Sequence, residues 1–248
     1  MGPDAIAAID AAGLVLWPAL ETIDAGIWHC RFAEGFTRRA NSICVGDAAS
    51  ADTPLHGLAE AAALYGERGI APAFRATPLT PPGVIALLSA SGWIEAETVA
   101  VMAMSLVAPL GALPADITRH DPRDKNFQAA QAKLCGYTAR QAHTLSRMLA
   151  RLPGPAAGLL IRIDGEPLGT ALVALDRDIA YVFSVAVAPE ARGRGLGRAL
   201  MQGALAFAAD TGATTCALQV VPENHVARGL YLGLGFADLY SYTYWTAP

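Results

Sequence analysis

Charged residues are scarce in this sequence, at 16% of 248 residues, whereas hydrophobic residues make up 53%. This composition supplies ample core material, so we expect a folded chain rather than a disordered one. The formal net charge is -4, and no broad cluster of lysine and arginine occurs. Nucleic acid is therefore not an expected partner, because a phosphate backbone demands a broad basic face.

Long hydrophobic runs are also lacking, and none reaches the length of a membrane span. Residues 1 to 27 show neither the basic start nor the small-residue cleavage site of a secretory signal. We therefore expect a cytoplasmic protein without membrane association. The cysteines have neither C-x-x-C spacing nor a compact framework, which predicts reduced thiols at Cys30, Cys44, Cys135 and Cys216.

Two common catalytic signatures are absent. The five histidines show no H-x-x-x-H spacing and no pairing with cysteine, so no metal site is predicted. The G-x-S-x-G pattern of a serine nucleophile elbow does not occur either. We therefore expect neither a metal centre nor a serine nucleophile.

Short runs of apolar residues, separated by glycine and proline, predict a mixed α/β (α+β) layout in the second half of the chain. Upstream, residues 124–152 predict one or two helices, and residues 111–123 a connector with a short strand near Ile117. The predicted order after them is a hairpin of strands 159–163 and 168–175, a buried strand 179–188, a helix 198–211, a strand 215–221, a helix 222–234 and a final strand 238–245.

The first half of the chain matches the second half at one offset without gaps. Gly69 falls on Gly212 and Gly92 on Gly235, because the differences 212 - 69 and 235 - 92 are both 143. The same offset overlays helix 58–68 on 201–211, strand 73–75 on 216–218, and strand 41–45 on 184–188. Residues 50–55 replace a glycine-rich loop, and Leu88 replaces Tyr231. The pattern predicts two domains, 1–110 and 111–248, with the chemistry of the first one lost.

A strand that ends near Val187, a glycine-rich loop and a helix follow one another directly, which predicts a phosphate cradle. The first turn of a helix has unpaired N–H groups and a positive dipole end, and glycine permits close approach. The cradle comprises Gly193, Gly195 and Gly197, with Arg192, Arg194 and Arg198 beside it as either phosphate contacts or solvated surface residues. Neither the dinucleotide G-x-G-x-x-G nor the Walker loop matches.

These residues resemble the GNAT superfamily of acetyltransferases. The first motif, V-x-P-x-x-R-G-x-G-x-G, runs from Val187 to Gly197, and the second, N-x-x-A-x-x-x-Y-x-x-x-G-F, from Asn224 to Phe236. The resemblance covers residues 115–248. Residues 28–42 are also similar to the degenerate first half of tandem-GNAT proteins. The family implies two tandem domains, each a mixed, mostly antiparallel sheet flanked by helices.

The resemblance implies direct transfer of an acetyl group from acetyl-CoA to a primary amine. Acetyl-CoA would lie between the strand that ends at Val187 and strand 215–221, and Tyr231 would protonate the departing thiolate. A backbone N–H near residues 185–187 would stabilise the oxyanion. The implied coenzyme-binding residues are Val185, Ala186, Val187, Arg192, Gly193, Arg194, Gly195, Leu196, Gly197, Arg198, Asn224 and Ala227.

Several points stay open at this stage. Ser184 and Gln219 stand where many relatives have a strand glutamate, so the general base is not evident among Glu166, Asp176, Asp178, Glu190, Glu223 and a water relay.

The acceptor amine is a small molecule, a peptide N-terminus or a lysine, and the protein is a monomer or a homodimer. A regulatory module that binds acyl-CoA without turnover, or an interaction scaffold, are the alternatives. Arg38, Arg39 and Asn41 either stabilise the domain interface or shape the acceptor site.

Overall fold

The computed structural model describes residues 2–46, 55–106 and 117–248. The predicted boundary at 110/111 and residues 50–54 lie outside this part of the chain. The described elements of the first half are α1 (Pro3–Leu16), β1 (Glu21–Ala25), β2 (Trp28–Phe32), β3 (Ile43–Val45), α2 (Leu58–Gly66), β4 (Ala73–Ala76), α3 (Pro82–Ala90) and β5 (Ile94–Ser105). Those of the second half are β6 (Ile117–His120), α4 (Lys125–Cys135), α5 (Ala139–Leu149), β7 (Ala156–Ile163), β8 (Glu166–Asp176), β9 (Ile179–Val187), α6 (Leu196–Asp210), β10 (Thr215–Val220), α7 (His225–Leu232) and β11 (Ala237–Thr246).

The segment 124–152 forms two helices because local signals separate them. The side chain of Asp124 caps α4 by accepting a hydrogen bond from the backbone N–H of Phe127. Gly136 ends that helix with a φ of 68°, which is the left-handed conformation that glycine adopts without strain. Thr138 and Gln141 then form a reciprocal capping box at the start of α5.

All described strands form one sheet, in the order β1-β2-β3-β4-β11-β5-β10-β9-β8-β7-β6. The two predicted sheets are therefore joined, and the last strand of each half lies beside strands of the other half. β11 lies between β4 and β5, and β5 lies between β11 and β10. Of these pairs only β3/β4 and β9/β10 are parallel. The expected mixed, mostly antiparallel character is confirmed.

The buried apolar side chains form three large clusters, one under the helices of each half and one between the halves, and a small fourth one of Phe127, Ala130 and Leu160. α2 and α3 pack on the strands of the first half, and α6 and α7 on those of the second. The third cluster joins the halves: Leu16 and Trp17, at the end of α1, pack with Met148 of α5 and with Tyr181 and Phe183 of β9. Apolar burial at about 25 cal/mol per Å² makes this shared core a strong link between the halves.

The repeat that the sequence predicts is present in the structure. α2, β4, α3 and β5 correspond in order to α6, β10, α7 and β11. All four matched glycines have positive φ: 63° at Gly69, 92° at Gly212, 77° at Gly92 and 97° at Gly235. Glycine occurs at these positions because side chains other than hydrogen are strained there.

Candidate functional site

A cleft opens in the sheet where β9 and β10 separate. The two strands are paired from Ile179 and Thr215 to Val182 and Leu218, and not beyond. Ser184 follows with a φ of 50°, and the register between β8 and β9 shifts between Thr170 and Leu172. Such a β-bulge bends the strand locally. The resulting cleft has a volume of about 330 Å³.

The backbone of β9 beyond the bulge faces this cleft with alternate groups. The N–H of Ala188 donates to the carbonyl oxygen of Leu168 in β8, at 2.9 Å. In an antiparallel ladder every second residue bonds to the same neighbour, so Ala186 faces β8 as well. Val187, between these two residues, therefore directs its N–H and C=O groups to the opposite edge, where β10 has already diverged, and Val185 lines the cleft.

The glycine-rich loop forms an open turn before α6. Gly193 and Gly195 have φ values of 74° and 79°, and a Cβ atom added at either would meet no atom within 4 Å. A Cβ atom at Gly197 would lie 3.3 Å from Leu230, so this glycine permits close packing of α6 on α7. Within the described chain, the backbone N–H groups of residues 193–198 donate no hydrogen bond. Several N–H groups are thus free at the positive end of a 15-residue helix.

The three arginines near the loop differ in their contacts. Arg198 donates to the carbonyl oxygen of Gly233 at 3.3 Å, so its guanidinium contacts the last turn of α7. Arg192 and Arg194 are exposed, and neither side chain pairs with a residue of the described ranges. The predicted phosphate contacts are therefore sterically open to Arg192 and Arg194, whereas Arg198 also has a structural partner.

Asn224 and Ala227 belong to the N-terminal cap of α7. The Oδ1 atom of Asn224 accepts a hydrogen bond from the N–H of Ala227 at 3.1 Å, and Asn224 borders the cleft. This bond orients the amide and leaves its NH₂ group available. Leu196 is half-buried at the first position of α6.

Tyr231 lies on α7 with its side chain at the cleft, 7% exposed. Its ring packs at 6.0 Å from that of Phe236, and its hydroxyl has no hydrogen-bond partner among the described residues. Burial raises the pKa of the Tyr231 phenol above its usual value. The hydroxyl is therefore protonated at neutral pH.

No carboxylate of the described chain lines the cleft, so none of the candidate bases is brought to it. Glu166 pairs with Lys133, and Asp178 accepts from Thr214. The amide oxygen of Gln219 accepts a hydrogen bond from the hydroxyl of Tyr242 at 2.8 Å, which orients this side chain. Proton removal from an amine would then depend on neutral groups or water.

The sequence did not predict the opposite wall of the cleft. Trp17, Thr37 and Arg39 of the first half line it, together with Tyr137 from the connection between α4 and α5. Only Thr37 and Arg39 lay within a segment already singled out, residues 28–42, as similar to tandem-GNAT proteins. The remaining residues are brought there by the packing of the two halves, which no local pattern reports.

Two further observations concern membranes and metals. In the ranges 2–46, 55–106 and 117–248, no helix is both long and apolar enough to cross a bilayer. The same residues contain no group of three or more histidine, cysteine, aspartate or glutamate side chains arranged for a metal ion.

Comparison with known proteins matches the second half to a family and the whole chain to a fold. The Acetyltransferase (GNAT) family profile matches residues 125–236. The chain is 26% identical over 249 residues to the uncharacterized N-acetyltransferase YobR of Bacillus subtilis, with 97% of this chain and 98% of that protein covered.

Two solved structures extend the likeness to the arrangement of both halves. A GCN5-related N-acetyltransferase from Kribbella flavida superposes with a TM-score of 0.73 at 19% identity, covering 98% of this chain and 95% of that one. A tandem GNAT protein from the clavulanic acid biosynthesis pathway superposes with a TM-score of 0.63 at 19% identity, covering 83% and 74%. Residues 125–236 thus form a domain of the Acetyltransferase (GNAT) family, and the chain as a whole shares the fold of these two structures.

Proposed function

We propose that this protein transfers the acetyl group of acetyl-CoA directly to a primary amine in the cleft between β9 and β10. The observation that carries the proposal is a splayed strand edge and a phenol on α7 at one cleft, with free N–H groups at the start of α6, the helix that follows β9 in the chain. The boundary between a supporting first domain, 1–110, and a catalytic second domain, 111–248, is part of the same proposal.

The turn at residues 193–198 would hold the pyrophosphate of the coenzyme through its backbone. Its N–H groups make no competing bond among the described residues, and Gly193 and Gly195 leave the approach open. A helix dipole and several main-chain donors favour a diphosphate at this place. Arg192 and Arg194 would add charge. The amide of Asn224 and the adjacent Ala227 would border the pantetheine arm.

The pantetheine arm would pair with the backbone of Val185 and Val187 as an added strand. Val185 lines the cleft, Val187 faces the edge from which β10 has diverged, and β10 pairs with neither of them. Strand addition of this kind gives affinity through main-chain hydrogen bonds. A free N–H in this stretch would also stabilise the negative charge that develops on the thioester oxygen.

The proposed transfer step needs no co-reactant besides acetyl-CoA and the neutral amine. The amine nitrogen forms a bond to the carbonyl carbon of the thioester, and the carbon–sulfur bond breaks with its electron pair moving to sulfur. Tyr231 donates its proton to that sulfur, and the amine releases one proton to solvent, from which the phenol is restored. The products are the acetylated amine and the free CoA thiol. Because burial raises the pKa of Tyr231, the phenol keeps its proton at neutral pH.

The test is to incubate the full chain with acetyl-CoA and a panel of amines, and to measure free thiol and acetylated product by mass. We expect Tyr231→Phe to lower kcat about 100-fold, since a general acid contributes roughly 10²- to 10⁴-fold. The dissociation constant for acetyl-CoA should stay unchanged. Leu88→Met, at the equivalent position of the first half, is the matched control and should leave kcat within about threefold because such a core exchange is mild.

The alternatives give different results in the same experiment. Tight binding of acetyl-CoA without any acetylated amine would favour a regulatory acyl-CoA-binding module. Failure to bind acetyl-CoA at all would contradict both proposals and leave the interaction scaffold. The mass of a coenzyme copurified with the protein would provide an independent check on binding.

A further inference from the structure

We propose that the acceptor amine also carries a carboxylate, and that Arg39 binds this group on the first-half wall of the cleft. This inference rests on the proposed acetyl transfer and narrows its substrate class. Arg39 belongs to a short helical turn, Arg38–Ala40, that follows β2. The turn brings a side chain from the first half to a cleft whose other walls come from the second half.

The charge of the cleft is the first argument. Of the described residues that line it, Arg39 alone carries a full charge at neutral pH. The other lining residues are apolar, aromatic or neutral polar, and no carboxylate is among them. A cleft with one cation repels an acceptor that has several amino groups and attracts one with an anionic group.

The guanidinium of Arg39 lacks a protein partner that would explain its charge. Its Nε atom is buried and makes no hydrogen bond, and no carboxylate lies within 4.0 Å of the side chain in the described structure. A buried donor without a partner costs roughly 1–3 kcal/mol. The planar fork of an arginine matches a carboxylate through two parallel hydrogen bonds. An incoming carboxylate would pair with the two terminal nitrogens, which, unlike Nε, are not fully buried and donate no hydrogen bond within the described structure.

Aromatic rings hold the guanidinium at the wall of the cleft. Its central carbon lies 5.6 Å from the ring centroid of Trp17 and 5.4 Å from that of Phe183. Arginine stacks on such rings without using its N–H groups, so these remain free for a ligand. Phe183 directly precedes the bulge at Ser184, so the cation lies at the point where the strands separate.

The backbone around Arg39 is held by a second, fully buried arginine. Arg31 is 2% exposed and donates one hydrogen bond to the carbonyl oxygen of Arg39 at 2.7 Å and another to that of Trp17 at 2.8 Å. The indole N–H of Trp17 donates to Thr37 at 2.9 Å, and the amide of Asn41 donates to the carbonyl of Thr37 at 2.8 Å. The wall is thus built before a ligand arrives, which lowers the entropy cost of binding.

The side chains of Arg38 and Asn41, which lie close to Arg39 in the chain, make contacts away from the cleft. Arg38 points to the surface, where it pairs with Glu97 at 3.3 Å and lies over the ring of Tyr244. Asn41 uses its side chain within the loop, where its oxygen accepts from the N–H groups of Ala33 and Gly35. Of the three residues that the sequence analysis left open, only Arg39 directs its charge at the cleft. Arg38 is therefore a matched control, with the same charge one position away.

The test compares amines that differ only in the carboxylate. The panel contains the common amino acids, the amines formed by removing their carboxyl group, their carboxamides, and phosphoethanolamine as a phosphate-bearing amine. Steady-state kinetics are measured for the wild type and for Arg39→Met, Arg39→Lys and Arg38→Met. Acetyl-CoA binding is measured for each variant to show that it is folded.

We expect at least one amino acid to be acetylated with a kcat/KM well above that of its decarboxylated amine and its carboxamide. Arg39→Met should lower that kcat/KM about 10- to 150-fold, because a hydrogen-bonded charge contributes roughly 1.5–3 kcal/mol. The same variant should change kcat/KM for decarboxylated amines by less than about threefold. Arg39→Lys should recover part of the loss, and Arg38→Met should show none.

Several results would overturn the inference. One is an equal kcat/KM of the wild type for amino acids and their decarboxylated amines, and another is a higher kcat/KM for the phosphate-bearing amine. A third is an equal loss of kcat/KM in Arg38→Met and Arg39→Met. If no amine is acetylated, the proposal of acetyl transfer fails on its own. Calorimetric titration of N-acetylated amino acids into the CoA complex of the protein would still test whether Arg39 binds a carboxylate. Binding that is the same with and without the carboxylate, or with Arg39→Met, would contradict the role of Arg39.

Discussion

The two halves contain the same cleft with different contents. In the first half, β3 and β4 pair only at Ile43 and Phe74, and a cavity of about 410 Å³ opens beside them. Arg75 and Asp10 line that cavity and form a two-pronged ion pair, with one contact at 2.9 Å. In the second half, Leu218 occupies the position equivalent to Arg75, and the cleft has no such pair. The two halves therefore share a backbone arrangement, but the side chains that line their clefts differ.

The equivalent helices α3 and α7 also carry different side chains at the matched positions 88 and 231. Tyr231 presents an unpartnered hydroxyl to the second cleft, whereas the equivalent Leu88 is fully buried in the core of the first half. The first half also contributes residues to the second cleft, which Trp17 and Arg39 line. The first half thus contributes one wall of the second cleft, which is the acceptor wall in the proposed reaction, while coenzyme binding is expected in the second half only.

The largest effect is expected from breaking the buried ion pair of the first half. Arg75→Leu, which introduces the residue type of the second half, should lower the free energy of unfolding by about 3–5 kcal/mol, because it removes the cation from a largely buried carboxylate that keeps the hydroxyl of Tyr240 as a neutral partner. Urea denaturation would measure this. The double variant Asp10→Leu/Arg75→Leu should recover much of the loss. A cost below about 1 kcal/mol for Arg75→Leu, similar to that of a Leu218→Met control, would contradict a stabilising role for the ion pair in the first cleft.

Coenzyme binding should depend on one half only. Gly195→Glu is expected to weaken acetyl-CoA binding about 100-fold or more, because it strains a backbone with a φ of 79° and adds negative charge to the diphosphate cradle. Calorimetry would measure the dissociation constant. Gly69→Glu is the matched control, since Gly69 also has positive φ and open space but lies in the first half. A similar loss in both variants would mean that strain, not the cradle, is responsible.

A smaller, pH-dependent effect is expected where the halves meet. Thr144 of α5 donates a hydrogen bond to Glu34 of the first half at 2.6 Å, which lowers the pKa of the Glu34 carboxyl below its usual value, and Arg147 lowers it further. A lowered folded-state pKa stabilises the protein above the unfolded value of about 4.3, and this stability is lost as the pH falls through the folded value.

Glu34→Gln should therefore cost less than about 1 kcal/mol at pH 7, since the pair is partly solvent-exposed. The difference from the wild type should shrink toward zero near pH 3. Urea denaturation at both pH values would measure it. Glu60→Gln, which changes an exposed carboxylate of α2, should show no such pH dependence; a difference for Glu34→Gln that grows on acidification would contradict the assignment.

Much of the fold could be predicted because its signals are local. Glycines at the ends of helices and alternating apolar runs predicted the order of elements in the second half, and the repeat at an offset of 143 predicted strand 41–45, helix 58–68 and strand 73–75 of the first half. The glycine loop was predicted from its spacing and the role of Tyr231 from the family resemblance, and the structure brings Tyr231, Val185 and Asn224 to one cleft. The bulge at Ser184 was not predicted, since a positive φ in a strand leaves no mark in an apolar run.

The sequence by itself determined the elements, the duplication and the free turn before α6, because each depends on residues close together in the chain. Only the tertiary structure decided that β5 and β11 lie beside strands of the other half, and that Arg39 reaches the second cleft. These features depend on pairing and burial between residues more than a hundred positions apart. Such contacts result from the packing of the whole sheet, which no local periodicity specifies.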